Sequence, residues 1–124
     1  MILVDTSVWI DHLRRSNEGL VEALEQGNVL VHPFVVGELA CGNLANREEV
    51  LMLLQALPDA RLASDEEVLR FIERRRLMGR GIGYVDAHLL ASVALGGDVA
   101  LWTRDRRLAA AAVDLGLGGG PGAP

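Results

Sequence analysis

The strongest constraint on this chain comes from short apolar runs that do not alternate with polar residues. Ile2–Val4 and Val29–Val31 are too short for helices and lack a period of two, so each reads as a strand buried on both faces. Val99–Thr103 reads as another, and Arg61–Ala63 as a weaker one between them. The segments separating these strands carry helical periods and helix-ending signals. Strands that alternate with helices predict an α/β fold, with a parallel sheet covered on both faces by helices in three layers.

Local signals set the helix limits. Thr6 or Ser7 can cap a first helix reaching about Arg14, and Asn17 can cap a second that Gly27 stops after Gln26. Pro33 suits the first turn of a third helix, Phe34 to about Cys41. Asn46 with Glu49, and Ser64 with Glu67, have capping-box spacing. The first pair opens a helix that ends before Pro58, the second a helix through Met78 that Gly79 follows. A sixth helix covers about Tyr84–Leu95, and a seventh, Ala-rich one follows Arg104-Asp105. Residues 1–115 form a single domain on this reading. The tail 116–124, rich in Gly and Pro, is expected to be disordered.

Composition narrows the chemistry. All 12 basic residues are arginine, so mechanisms that need a lysine are excluded. The net charge of −5 argues against a surface built for non-specific nucleic-acid binding. The one cysteine, Cys41, excludes an intramolecular disulfide and a Cys-rich zinc site, fits a reducing cytoplasm, and reads as a packed core thiol. No apolar run reaches the roughly 18 residues of a membrane span, and no signal peptide is read at the N-terminus.

In parallel sheets ligands bind at the carboxyl ends of the strands. Asp5 directly follows the first strand, and Asp105 lies two residues beyond Thr103. Glu38 falls in the third helix among Val35, Val36 and Leu39, in or beside a face expected to be buried, and Asp86 falls in the first turn of the sixth helix. A carboxylate amid apolar residues is costly unless paired or metal-bound. Asp5, Asp86 and Asp105 each have an ordinary reading as helix caps or first-turn acids, although Thr6 and Ser7 leave Asp5 surplus as a cap. Four acids near one rim cannot all stay ionised without a cation. An oxygen-only set points to Mg²⁺ or Mn²⁺ and so to phosphodiester chemistry.

These positions also carry a family resemblance. VDTSVWI at the N-terminus, GELACG around Glu38, YVDAHLLASVAL around Asp86 and LWTRDRRL around Asp105 resemble the PIN-domain ribonucleases. The likeness is greatest to the VapC-type toxins of bacterial toxin–antitoxin pairs. The resemblance implies a sheet of four to five strands in the order 3-2-1-4, with a fifth near Leu115–Leu117. It implies Mg²⁺- or Mn²⁺-dependent cleavage of RNA, a VapB-type antitoxin and a homodimer. It makes Asp5 and Asp86 metal ligands, with Glu38 and Asp105 completing the catalytic site directly or through water, and Glu38 or Asp86 helping to activate that water.

Thr6 and Thr103 are candidates to support these acids or touch substrate, whereas Ser7 reads better as a cap. Arg104, Arg106 and Arg107 can hold phosphates or simply face solvent. Arg74–Arg76 is expected to be surface structure, with Glu66 pairing to Arg70. His12, His32 and His88 lack zinc spacing and read as structural, and Trp9 and Trp102 as core or dimer contacts. A phosphatase or receiver domain would need a lysine. The remaining alternatives are a non-catalytic binding module, which would have lost acids, and a DNA-directed nuclease, which would be larger.

Overall fold

The computed structural model describes residues 1–120. Three strands, β1 (Ile2–Val4), β2 (Val29–Leu30) and β3 (Ala100–Trp102), form a parallel sheet in the order β2-β1-β3. Seven helices surround it: α1 (Thr6–Arg14), α2 (Glu18–Glu25), α3 (Pro33–Ala40), α4 (Arg47–Gln55), α5 (Asp65–Arg75), α6 (Tyr84–Gly96) and α7 (Arg106–Asp114). No helix among the described residues is long and apolar enough to cross a membrane.

The sheet is narrower than four to five strands. Each expected outer strand is reduced to one bridge. Val31 pairs with Asp59, through Val31 N–H to Pro58 and Ala60 N–H to Val31, rather than with Arg61–Ala63. Pro58 has no N–H to extend a ladder there. At the other edge Leu101 pairs with Gly118, accepting from Gly119 N–H and donating to the Leu117 carbonyl. The two bridges keep the expected 3-2-1-4 neighbours and a trace of the fifth.

The tail therefore does not lose its order at 116. Leu117 packs against the core cluster, and the glycines after it serve close approach. A Cβ on Gly119 would stand 2.5 Å from Ala100 Cβ, and one on Gly120 would stand 2.4 Å from Trp102 Cγ. Glycine weakens the strand pattern and at the same time lets the backbone lie on β3. The rest of the expected disordered tail, 121–124, lies outside the described residues.

The core gathers Leu3, Val4, Leu20, Leu39, Leu89, Leu90, Leu101 and Leu108, each almost fully buried, and includes both tryptophans. Seven consecutive residues of α6, Ala87–Val93, are buried, so this helix is covered on every side as it runs through the interior.

The cap signals divide. Ser64 and Glu67 form the reciprocal box that opens α5, whereas Asn46 takes the left-handed conformation at φ 54° and makes no side-chain cap. Helix α5 stops at Arg75, short of Met78. Arg76 turns left-handed at φ 53°, Leu77 N–H reaches back to the Ile72 carbonyl, and Leu77 enters the core at 3% exposure. Cys41 caps the end of α3 and is exposed, so it is not a core thiol.

Because the glycine tail lies against β3, Gly119→Ala should destabilise the protein by about 1–3 kcal/mol, the usual cost of overpacking. Urea unfolding would measure it, and an unchanged midpoint would mean that the tail makes no contribution.

Candidate active site

Parallel pairing of β1 with β3 sets Val4 opposite Trp102, so the residues after both strands meet at one rim. The Asp5 N–H continues the ladder to the Trp102 carbonyl at 2.9 Å. Asp5 is 6% exposed and is itself the N-cap of α1. Its Oδ2 accepts from Ser7 Oγ at 2.7 Å, Thr103 Oγ1 at 2.8 Å and, more weakly, Ser7 N–H at 3.4 Å. Asp5 is thus not surplus to capping, and Thr6 and Ser7 are not the caps. All three bonds go to Oδ2.

The hydroxyls hold this carboxylate in place. Ser7 Oγ also accepts from Arg104 N–H at 3.0 Å, and Thr103 Oγ1 accepts from Asp105 N–H at 3.1 Å. Asp105 caps α7, accepting from Leu108 N–H at 2.9 Å through Oδ1. Each of these acids therefore combines a cap with a place at the rim.

Glu38 is exposed on α3, contrary to the buried face expected for it. Its neighbours Val35 and Leu39 point into the core, and the helical step carries position 38 outward. Its Oε1 accepts from Thr6 Oγ1 at 2.7 Å, which ties α3 to the start of α1.

Asp86 is half-buried in the first turn of α6, and its Oδ2 accepts the Gly83 N–H at 3.0 Å. Burial is the largest influence on its pKa and raises it above the ordinary aspartate range. The charges of Asp5, Asp105 and Glu38 raise it further, while the Gly83 bond opposes them. Thr103 links Asp5 to Asp105, Thr6 links Glu38 to the residue after Asp5, and Asp86 lies within range of their charges.

The described residues contain no group of three or more His, Cys, Asp or Glu side chains already close enough to hold an ion. The donor set nonetheless fits a hard divalent cation, which keeps several waters and uses few direct carboxylates.

Arginines near the rim have partners outside the four acids. Arg104 Nε pairs with Asp11 at 2.8 Å, and Arg80 pairs with Asp114 at 2.7 Å. The Arg107 side chain crosses Gly81, where a Cβ would stand 2.6 Å from its Cδ. Gly81, at φ 78°, thereby lets the loop before α6 dock on α7, a role that sequence periodicity does not signal. Arg70 pairs with Glu66 on the exposed face of α5, as its spacing implies.

Two histidines bond the backbone near helix starts. His32 Nδ1 accepts from Phe34 N–H to cap α3, and burial followed by the His88 charge lowers its pKa to about 4. His12 Nδ1 accepts from Asn17 N–H.

The PIN domain profile matches residues 2–114. The chain belongs to the PIN-domain family. It is also 53% identical over 117 residues to Ribonuclease VapC32 of Mycobacterium tuberculosis, in strains CDC 1551 / Oshkosh and H37Rv, covering 94% of each chain. That likeness makes it a VapC-type member. The four motifs around Asp5, Glu38, Asp86 and Asp105 all lie within the matched span.

The charge balance gives a stability test. A raised carboxyl pKa means the folded state holds a proton the unfolded chain releases, so stability falls as pH rises through that interval. Asp86→Asn, which keeps an acceptor for Gly83, should stabilise the metal-free protein at pH 7 and have less effect below pH 4. Thermal melts at the two pH values would show this. A variant that destabilises equally at both would exclude charge crowding.

Proposed function

We propose that this protein is the toxin of a toxin–antitoxin pair and acts as a divalent-metal-dependent endoribonuclease. The observation that carries this reading is the 53% identity over 94% of this chain to a ribonuclease, with Asp5, Glu38, Asp86 and Asp105 all inside the PIN-domain match. VapC32 is named a ribonuclease, and this chain matches it almost throughout. A VapB-type antitoxin, a homodimer and a cytoplasmic setting belong to the same reading.

Asp5 and Asp86 are the direct ligands of Mg²⁺ or Mn²⁺, and Glu38 and Asp105 complete the site directly or through water. The ion, when bound, neutralises the carboxylates and phosphate oxygens and lowers the pKa of a water. Asp5 offers Oδ1 from a fixed position because Oδ2 is held by Ser7 and Thr103. Burial, then the charges of Asp5, Asp105 and Glu38, raise the Asp86 pKa against the Gly83 bond, so a bound cation would favour its ionised, ligating form. Glu38 is exposed and oriented by Thr6, which suits a base receiving a proton from water. Either Glu38 or Asp86 activates the attacking water. Retention of all four acids favours this reading over a non-catalytic module.

Cleavage of single-stranded RNA should require Mg²⁺ or Mn²⁺, and Asp5→Asn should reduce the rate by about two to three orders of magnitude. Metal-independent cleavage, or full activity in that variant, would overturn the proposal. Thr103→Val removes one support from Asp5 Oδ2 and should weaken metal affinity or activity by about 10–100-fold. Calorimetric titration with Mn²⁺ would separate the metal effect from the chemical step.

A further inference from the structure

We propose that Phe34 and Tyr84, with His88 packed between them, form a stacking platform for an unpaired nucleobase beside the acidic site. This rests on the ribonuclease reading and adds to it the part of the protein that holds the substrate base.

The chain has five Phe, Tyr and Trp side chains. Trp9 and Trp102 are in the core at 4% and 7% exposure, and Phe71 packs against it. Phe34 and Tyr84 are instead 39% and 45% exposed, and both meet the same buried ring. The Phe34 and Tyr84 centroids lie 4.8 and 4.7 Å from that of His88, at interplanar angles of 65° and 87°.

Exposed Asp65 at the start of α5 ties Tyr84 to His88. His88 Nε2 and the Tyr84 hydroxyl both bond to Asp65 Oδ1, at 2.9 and 2.7 Å. Phe34 also packs against buried His32 at 5.1 Å. Exposed aromatic rings held in this way need little ordering when a base stacks on them, and stacking tolerates any base.

Their position ties them to the acids. Phe34 and Glu38 are four residues apart on α3, so they share a face about 6 Å apart along the axis. Tyr84 joins that face through His88, one turn along α6, which meets both rings. A strand whose phosphate lies at Glu38 would meet Phe34 one helical turn away, with Tyr84 beyond it across His88. The net charge of −5 makes ring contacts a natural complement to phosphate contacts for an RNA ligand.

The test uses the full chain carrying Asp5→Asn and a single-stranded oligoribonucleotide containing 2-aminopurine. Binding should quench the fluorescence. Phe34→Leu and Tyr84→Leu, which keep apolar bulk, should each weaken binding by about fivefold to 150-fold and reduce quenching. Tyr84→Phe, which keeps the ring, should recover most of the Tyr84→Leu loss. Circular dichroism melts would check that each variant folds. Unchanged affinity and quenching in both Leu variants would overturn the platform, as would a changed oligomeric mass with intact quenching, which would assign the rings to a contact between chains. Metal-dependent cleavage by the parent chain, measured alongside, tests the ribonuclease reading separately. If that cleavage persists while the rings prove irrelevant, the platform alone fails. If the parent cleaves nothing but quenching still depends on the rings, the platform stands and the nuclease reading fails.

Discussion

Parallel pairing of β1 with β3 is the contact on which the site depends. Leu3 against Leu101 and Val4 against Trp102 bury the centre of the sheet and fix its register. A slip of one residue would exchange the side chains between the two buried faces and disrupt packing on both, so the apolar core enforces this alignment. The alignment in turn brings Asp5 to Thr103, a residue 98 positions away, and delivers Asp105 just beyond it. Nothing flexible intervenes between the buried strands and the first carboxylate.

The site concentrates negative charge and leaves part of it uncompensated. Asp5 is buried at low cost because its Oδ2 gathers hydroxyl and amide donors. The arginines near the rim have other partners: Arg104 holds Asp11, Arg80 holds Asp114, and Arg107 lies over Gly81. Asp86, in the first turn of the helix that runs through the core, has its pKa raised first by burial and then by the charges of the other acids. A rigid, charge-crowded rim favours whatever brings positive charge to it, and an oxygen-only donor set favours a hard cation.

Much of this was legible from residue order. Helix boundaries followed Asn17, Gly27, Pro33 and the Ser64–Glu67 box because those signals act within one turn. The errors share a cause, which is tertiary contact overriding a local preference. Asn46 has the right spacing for a cap yet sits left-handed. Leu77 is drawn into the core and ends α5 early. The glycines after Leu115 look incapable of order until Ala100 and Trp102 are seen beneath them. The aromatic pair escaped notice because Phe34 and Tyr84 are 50 residues apart, and only His88 joins them.

The sequence by itself determined the strand and helix alternation, the four acids and their places at strand or helix ends. Those features follow from periodicity and from hydrogen bonds between near neighbours. Tertiary structure decided that Asp5 caps α1 through one oxygen, that Glu38 is exposed, that the sheet has three strands among the described residues, and that Asp86 is half-buried within range of the other acids' charges. Those outcomes depend on burial and on distances between remote segments, and both are set only when the strands pair and the helices pack around them.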